Sequence, residues 1–217
     1  MKQTKPLIEF KNIFLKFKDK TILKNFNLQI FPKDKIVISG ASGIGKSTLF
    51  NLILGFVQAQ NGEIFFQGKK VNAKNIHSIR SQIAYLDQDL SLGTDFIKEI
   101  IQDYFSFEVN REIALDKNKL TKLLEEFSLD QNILNKNINR LSGGEKQRIG
   151  LIIALLLDRP LLLLDEISSA LDPKLVQQVI TKILKLENKT IILIAHNREW
   201  QKQKDIRVFN FGSKKWQ

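Results

Sequence analysis

A glycine-rich stretch, Gly40-Ala41-Ser42-Gly43-Ile44-Gly45-Lys46-Ser47-Thr48, follows the apolar run at residues 36–38 and precedes a second apolar segment at residues 49–54. This order predicts a strand, a loop and a helix, and the stretch matches the pattern G-x-x-x-x-G-K-[ST]. Glycine allows a positive φ and a close approach of the backbone to a ligand, and successive N–H groups at a helix N-terminus attract anions. We therefore predict a loop that binds a nucleoside triphosphate, in which Lys46 reaches the β- and γ-phosphates and the Ser47 hydroxyl ligates Mg²⁺.

Composition limits the class of protein. The chain has 217 residues, is 43% hydrophobic and contains no cysteine, which suits one domain and excludes disulfides and thiolate zinc sites. Residues 1–6 lack the apolar core of a signal peptide. The most apolar stretch, residues 149–164, is interrupted by Asp158-Arg159-Pro160 and is shorter than the roughly 20 apolar residues of a membrane-spanning helix. We therefore expect a soluble, cytoplasmic chain, with any membrane span supplied by another polypeptide.

The net charge of +11 has two interpretations. It could mark binding to nucleic acid or to an anionic membrane surface. It could also reflect a lysine- and asparagine-rich composition spread over solvated faces. No block of Lys and Arg is interleaved with aromatic residues that would stack on bases, which favours the second interpretation. Of the two anionic partners, the sequence favours the membrane surface, and we expect no nucleic-acid partner.

Hydrophobic periodicity indicates an α/β fold. Apolar and polar residues alternate over residues 7–31, which predicts antiparallel strands. The residues expected on one face of the last of these strands are Ile22, Phe26, Leu28 and Ile30. Farther along, continuous apolar runs alternate with helical patterns, which predicts a mainly parallel sheet. The apolar runs lie at residues 83–86, 161–164 and 190–195, and a last edge strand is expected at residues 207–211.

Residues from about 94 to 139 show helical spacing instead of strand spacing. Two apolar stripes are expected to face inward: Phe96, Ile100, Tyr104 and Phe107, and Leu120, Leu123, Leu124 and Phe127. We therefore predict a helical subdomain inserted in the sheet. A single domain would cover residues 1–217, with a core and an antiparallel β subdomain at residues 7–90 and 140–212.

Two carboxylates, Asp165 and Glu166, directly follow the apolar strand at residues 161–164. Because ligands gather at the C-terminal ends of parallel strands, both are expected near the phosphate-binding loop. Asp165 there would hold Mg²⁺, through water, and Glu166 would act as the general base on the attacking water. The alternative is that these acids only cap the helix that follows the strand.

A second anion site is predicted at Leu141-Ser142-Gly143-Gly144-Glu145-Lys146-Gln147-Arg148, where a serine and two glycines precede a helix. Read alone, Ser142 and Glu145 also fit an ordinary capping box. One chain has no obvious reason to fold two phosphate sites onto one nucleotide, whereas two copies arranged head to tail would use both.

Two further polar residues follow buried strands. Gln88 comes after the run at residues 83–86, where a neutral amide could reach Mg²⁺ and the attacking water. His196 comes directly after the run at residues 190–195 and could contact a γ-phosphate. Taken singly, Gln88 is more typical of an ordinary loop residue and His196 of a structural one.

These motifs, in this order, resemble the ABC-type ATPases over residues 7–212. Residues 40–48 look like Walker A and residues 161–165 like Walker B, followed by Glu166 as the catalytic glutamate. Gln88 is similar to the Q-loop glutamine, His196 to the switch histidine, and residues 141–147 and 169–172 to the signature and the D-loop. The combination of LSGGE, DE and SALD at this spacing is highly specific. GEKQR and DEISSALD also resemble a group of iron-export ATP-binding proteins.

The resemblance implies a P-loop NTPase that hydrolyses ATP with Mg²⁺ as a head-to-tail dimer. Each ATP would lie between Walker A of one chain and Ser142, Gly143, Gly144 and Glu145 of the other, near the D-loop residue Asp172. Phe17 stands where the family has an aromatic that stacks on adenine, although core packing would also explain it.

The resemblance further implies a transmembrane permease as partner, with this chain peripheral at the cytoplasmic face of the inner or plasma membrane. Tyr104-Phe105-Ser106-Phe107 is a candidate docking patch, the alternative being that these aromatics only fill the helical core. The sequence departs from the family pattern at Asp87, at Asn197 and at Ile167-Ser168, where Pro-Thr or Pro-Ser is usual.

A second class of function is an ABC-type ATPase that acts on nucleic acid or ribosomes. Members of that class resembling this fold carry coiled coils, zinc modules or two cassettes, and this sequence has no sustained heptads, no cysteine and one cassette. A regulatory module without turnover is disfavoured because Glu166, Gln88 and His196 are all present.

Overall fold

The computed structural model describes residues 5–90 and 92–217, which form two sheets with helices around the larger one. The strands are β1 (Ile8–Phe17), β2 (Lys20–Ile30), β3 (Lys35–Ser39), β4 (Asn61–Phe66), β5 (Lys69–Lys70), β6 (Ile83–Leu86), β7 (Leu161–Asp165), β8 (Thr190–Ile194), β9 (Arg207–Asn210) and β10 (Lys215–Trp216). The helices are α1 (Lys46–Ile53), α2 (Ile76–Arg80), α3 (Ile97–Ser106), α4 (Lys117–Glu126), α5 (Gly143–Leu156), α6 (Pro173–Leu184) and α7 (Arg198–Gln201). Short 3₁₀ segments occupy Glu108–Asn110, Gln131–Asn135 and Ile138–Arg140.

The smaller sheet is antiparallel and has the strand order β2-β1-β4-β5. Asn25 in β2 has a φ of 48°, and this irregularity shifts which residues face the core. Leu23 is fully buried, whereas Ile22 is only partly buried. The prediction that Ile22 shares the core face with Phe26 is therefore wrong. Ile22 packs at the margin of that core and also lies against the glycine-rich loop: a Cβ added to Gly45 would be 2.4 Å from the Ile22 Cγ2 atom.

The larger sheet has the order β10-β9-β3-β8-β7-β6 and is parallel from β9 to β6. Successive residues of β7 and β8 belong alternately to two hydrophobic cores, so both faces of this sheet are covered. Because both faces are buried, the sequences of these strands are continuous apolar runs. The parallel register aligns the C-terminal ends of β3, β7 and β8. The residues that follow these three strands therefore meet at one edge.

The predicted edge strand at residues 207–211 is not an edge. β10 pairs antiparallel with β9 and covers it. The Trp216 ring packs edge-on against Phe209, with 5.2 Å between the ring centroids, and the Arg207 guanidinium lies over the indole ring, 4.0 Å from its centroid. These contacts explain how a strand of two residues is held in place.

Residues 92–142 contain α3, α4 and the three 3₁₀ segments, so the fold class predicted from the sequence, including the inserted helical part, is confirmed. The stripe of Leu120, Leu123, Leu124 and Phe127 is buried as predicted. The other stripe is wrong, because Phe96 and Phe107 flank the ends of α3 and are 44% and 52% exposed. The buried residues of α3 are Ile97, Ile100 and Ile101. The exact subdomain boundaries stay a prediction.

Candidate functional site at the ends of the parallel strands

The glycine-rich loop connects β3 to α1 through three glycines with positive φ: Gly40 at 149°, Gly43 at 71° and Gly45 at 105°. A side chain is excluded at two of them. A Cβ on Gly40 would lie 2.6 Å from the Ile44 Cδ1 atom, and one on Gly45 would overlap Ile22. Ala41, Ser42 and Gly43 are exposed at the turn of the loop, and Lys46, Ser47 and Thr48 begin the helix. The backbone therefore forms the loop that the motif predicts.

Lys46 is buried, although it begins a helix next to an exposed loop, and it is only 5% exposed. Its Nζ atom donates to the carbonyl oxygens of Gly40 at 3.1 Å and Ala41 at 2.8 Å, and it lies 3.4 Å from His196 Nε2. Burial lowers the pKa of this ammonium, while the carboxylates of Glu166 and Asp165 act in the opposite direction. The side chain thus places its own ammonium group against the backbone of the glycine-rich loop.

Glu166 and His196 meet directly: Oε1 of the glutamate lies 3.0 Å from Nε2 of the histidine. Glu166 has a φ of 51°, which non-glycine residues rarely adopt, and its N–H donates to the carbonyl of Ile194 at 2.9 Å. His196 follows β8 two residues after that carbonyl. One polar cluster is therefore formed by three residues that are distant in sequence, Lys46, Glu166 and His196. This agrees with the prediction that residues at the C-terminal ends of the parallel strands lie close together.

Asp165 ends β7 and is 3% exposed, and its Oδ1 atom has no hydrogen-bond partner among the described residues. Burial raises the pKa of this carboxyl group, and the Ser47 hydroxyl acts in the opposite direction. A carboxylate oxygen without a partner beside a serine hydroxyl fits the oxygen ligands that Mg²⁺ prefers. Within residues 5–90 and 92–217, no group of three or more acidic or histidine side chains is placed to hold a metal by itself. Ser47 and Asp165 therefore suit a Mg²⁺ ion that phosphates also bind.

Gln88 is not part of this cluster. It lies exposed in the turn after β6, and among the described residues its side chain makes no hydrogen bond. Burial raises the pKa of the neighbouring Tyr85 to about 12, and the carboxylates of Asp165, Asp87 and Asp89 act in the same direction. The turn is therefore acidic, which suits a cation nearby, but a direct role for Gln88 stays a prediction.

The signature residues form the N-terminus of α5. Ser142 Oγ accepts from Glu145 N at 3.2 Å, and Glu145 Oε2 accepts from Ser142 N at 2.8 Å, so the capping box is present. A Cβ on Gly144 would lie 2.9 Å from the Ala170 carbonyl oxygen, so glycine lets this turn pack on the loop after Glu166. Among the described residues, no hydrogen bond or ion pair joins the signature to residues 40–48. The predicted site residues thus fall into two separate groups.

Two other predicted contacts lie at the periphery. Phe17 ends β1 with 45% of its surface exposed, so a ring face is available to a ligand. Nearby, Lys20 Nζ donates to the Gly43 carbonyl at 2.9 Å, which ties the turn after Phe17 to the glycine-rich loop. Asp172 caps α6, and its Oδ1 accepts from Lys174 N at 2.9 Å and Leu175 N at 3.0 Å.

Comparison with known proteins decides the family. The family model described as "ABC transporter" matches residues 23–169. The chain belongs to the ABC transporter family. This ABC protein is 33% identical over 202 residues to the probable iron export ATP-binding protein FetA of Escherichia coli K12, a match that covers 92% of this chain and 88% of FetA. It is 37% identical to the mitochondrial iron-sulfur clusters transporter ATM1 of Debaryomyces hansenii and 34% identical to the ATP-dependent lipid A-core flippase of Neisseria meningitidis. The matches span 28% and 31% of those two longer proteins.

Solved structures agree with this assignment. The ABC protein superposes on a bacterial Atm1-family ABC exporter with ATP bound with a TM-score of 0.82 and 25% identity, covering 95% of this chain and 38% of the exporter. It superposes on MJ0796, a bacterial ABC transporter cassette with a dimeric structure, with a TM-score of 0.79 and 25% identity, covering 94% and 95% of the two chains. The family resemblance inferred from the motifs is confirmed.

Gln147 supports the candidate site of the ABC protein, although the sequence predicts no individual role for it beyond its place in the signature motif. It is 5% exposed, and its Nε2 atom donates to Ser169 Oγ at 2.8 Å and to the Glu166 carbonyl at 3.3 Å. Its Oε1 atom accepts from Ala170 N at 3.1 Å. The side chain therefore fixes the loop after Glu166 from within the signature helix. The only signal in the sequence was its position at the end of the signature motif.

The raised pKa of Asp165 predicts a conflict between stability and function in the ABC protein. A carboxyl group whose folded-state pKa lies above its unfolded value lowers the free energy of unfolding as the pH rises through the interval between the two values, and the full loss applies above it. We therefore expect Asp165→Asn to raise the melting temperature near neutral pH in buffer without nucleotide or Mg²⁺, and to abolish Mg²⁺-dependent ATP hydrolysis.

Thermal unfolding and phosphate release measure these two effects. Asp19→Asn is the matched control, because Asp19 is fully exposed in a turn and should change neither quantity. A lower melting temperature for Asp165→Asn together with parental hydrolysis would show that this carboxylate is a structural residue.

Proposed function

We propose that this ABC transporter ATP-binding domain binds ATP with Mg²⁺ at residues 40–48 and hydrolyses it, and that it drives a separate membrane permease. The observation that carries the proposal is the cluster at the strand ends: Lys46 Nζ is 3.4 Å from His196 Nε2, which is 3.0 Å from Glu166 Oε1. A cation that can neutralise phosphate charge and a carboxylate that can orient and deprotonate water, with an imidazole held between them beside a phosphate-binding loop, suit phosphoryl transfer to water.

Each side chain has a distinct role in this proposal. Lys46 leaves the loop carbonyls to neutralise the β- and γ-phosphates. Glu166 orients a water molecule and accepts its proton as the water oxygen bonds to the γ-phosphorus and the bond to the β-phosphate bridging oxygen breaks. His196 contacts the γ-phosphate and keeps Glu166 in place. Ser47 and Asp165, together with Gln88 from the turn after β6, would hold Mg²⁺, which would supply positive charge to the phosphate oxygens. Phe17 offers its exposed ring to the adenine.

The separation of the signature from the loop supports a composite site. Ser142 to Glu145 present an N-terminal turn of α5 with helix N–H groups, yet within the part of the chain that the structure describes no hydrogen bond or ion pair joins them to residues 40–48. A second copy in a head-to-tail dimer would bring its own signature, with Asp172 close by, to the nucleotide. The MJ0796 cassette, which superposes over 94% of this chain, is described as dimeric.

A permease partner is supported by the relatives and by an exposed apolar surface. No helix in the described residues has both the length and the apolar character needed to cross a bilayer. Phe107 and Val109 after α3 are 52% and 54% exposed, whereas Tyr104 and Phe105 pack partly against the helical core. We therefore centre the candidate docking patch on Phe107. Tyr104 and Phe105 fit the alternative interpretation, in which the aromatic residues fill the helical core. We place the chain peripherally at the cytoplasmic face of the inner or plasma membrane.

Co-purification tests the transport function. We expect the tagged chain, extracted in mild detergent from its native cells, to retain a multi-span membrane protein, and Phe107→Ser to reduce the retained amount severalfold. Trp216→Ser is the matched control, because Trp216 lies on β10 at the opposite edge of the sheet from β6 and is also exposed. Salt-sensitive binding to nucleic acid or ribosomes with no membrane partner would contradict transport and support the non-transport class.

A further inference from the structure

A buried hydrogen bond joins the segment that carries His196 to the segment that carries Glu166. Trp200 is the largest fully buried side chain of the described residues and lies four positions after His196. Its indole Nε1–H donates to Ser168 Oγ at 3.1 Å, and Ser168 lies two positions after Glu166 and is itself only 6% exposed. Neither residue is explained by nucleotide binding, and residues 167–168 are where the sequence departs from its family pattern.

In the segment that carries His196, Trp200 is the residue that attaches α7 to the core. α7 is a single turn, and an isolated turn of helix has little stability of its own. Asn197 caps it by accepting from Glu199 N at 2.9 Å, and Trp200 fixes it to the core. His196 itself is exposed and makes polar contacts only with Glu166 and Lys46 among the described residues. The position and orientation of α7 relative to the core therefore depend on the packing of Trp200, and the position of His196 depends on α7.

On the glutamate side, Ser168 belongs to a loop that needs support. Glu166 holds a left-handed φ of 51°, a conformation that persists only where the surroundings enforce it. The Ile194 carbonyl binds its N–H, and Gln147 binds Ser169 and Ala170 from the other side. The Trp200 indole provides a buried hydrogen bond that links this loop to α7.

We propose that Trp200 and Ser168 are a positioning pair that sets the distance between His196 Nε2 and Glu166 Oε1, and thereby the rate of ATP hydrolysis. The inference rests on the proposed ATPase function. Removing the Ser168 hydroxyl leaves a buried indole N–H without its partner, and this cost favours a movement of α7 or of the loop toward another acceptor. Either movement separates the histidine from the glutamate while leaving residues 40–48 unchanged.

Steady-state kinetics on the full chain test the pair. Ser168→Ala and Trp200→Phe are each expected to lower kcat on the order of tenfold, within the loss of about 100-fold that a displacement near 1 Å can cause, with KM for ATP unchanged. The double variant should resemble the single variants, because one hydrogen bond is lost in all three. Ser168→Thr keeps the hydroxyl and should keep kcat. Ser168→Ala removes a single oxygen atom and gives the answer even where Trp200→Phe fails to fold.

A spectroscopic readout is independent of turnover. The sequence has two tryptophans, and Trp216 is partly exposed on β10. In a ¹H–¹⁵N spectrum, Ser168→Ala should move the Trp200 indole resonance upfield and leave that of Trp216 in place, and Ser168→Thr should move neither. An unchanged Trp200 resonance would overturn the hydrogen bond itself.

The outcomes separate this inference from the function on which it rests. A wild-type chain without ATPase activity would overturn the proposed function, and this inference with it. An active wild type whose Ser168→Ala variant retains the parental kcat would overturn the inference alone. A loss of kcat accompanied by an equal rise in KM would make the pair a general structural contact and would also contradict it.

Discussion

Glu166→Gln is expected to bind ATP normally and to hydrolyse it at least about 100-fold more slowly, because a positioned general base contributes typically 10²–10⁴-fold to the rate. Glutamine keeps the size of the side chain and can still bind His196 Nε2, which lies 3.0 Å from the glutamate oxygen, but it cannot accept a proton from water. Phosphate release and nucleotide binding measure the two quantities.

The same variant should accumulate as a dimer with ATP, because in the proposed head-to-tail dimer the nucleotide between the two copies would not be cleaved. Size exclusion with and without ATP detects it. Glu187→Gln is the matched control, since Glu187 is exposed in the turn after α6 and should show parental turnover and no trapped dimer. Parental turnover in Glu166→Gln would show that another group is the base.

Lys46→Ala is expected to weaken ATP binding by roughly 10- to 100-fold and to abolish measurable hydrolysis. A hydrogen bond to a charged group contributes about 1.5–3 kcal/mol, and each 1.4 kcal/mol is about tenfold in the dissociation constant. The lysine is 5% exposed and already seated over the loop, so little ordering is needed when phosphate replaces the carbonyl oxygens of Gly40 and Ala41.

Isothermal titration with ATP and Mg²⁺ measures the change. Lys122→Ala removes an exposed lysine from α4, where alanine is a good helix former, and should leave affinity unchanged. Equal affinity of Lys46→Ala and the parent chain would contradict the assignment of residues 40–48 as the phosphate-binding loop.

The site was predictable where function depends on residues beside a regular element. The glycines at 40 and 45 and the acids at the C-terminal end of β7 follow from the physics of a strand–loop–helix turn and of parallel strand ends. The meeting of Lys46 with Glu166 and His196 followed as well, because parallel strands align their C-terminal ends even when they are distant in sequence.

The features that were missed depend on contacts between distant segments. The positive φ of Asn25 moves Leu23, not Ile22, onto the core face, and no periodicity signals it. The pairing of β10 with β9 depends on the Trp216 ring on Phe209, and Phe107 falls outside α3 because the helix ends one residue earlier. Gln147 and Trp200 are linked to the loop after Glu166 by hydrogen bonds to partners that lie 22 and 32 residues away in the sequence.

The central claim is that one ATP lies between residues 40–48 of one copy and the signature of another. In a homodimer of Lys46→Ala chains, both ATP sites lack an intact phosphate-binding loop. In a homodimer of Ser142→Arg chains, both sites lack an intact signature, so each variant alone should be inactive. In a mixed dimer, one site combines the intact loop of one chain with the intact signature of the other. An equal mixture should therefore recover about a quarter of the parental rate, because half of the dimers are mixed and each has one intact site of two. A mixture as inactive as its separate components would contradict the composite site.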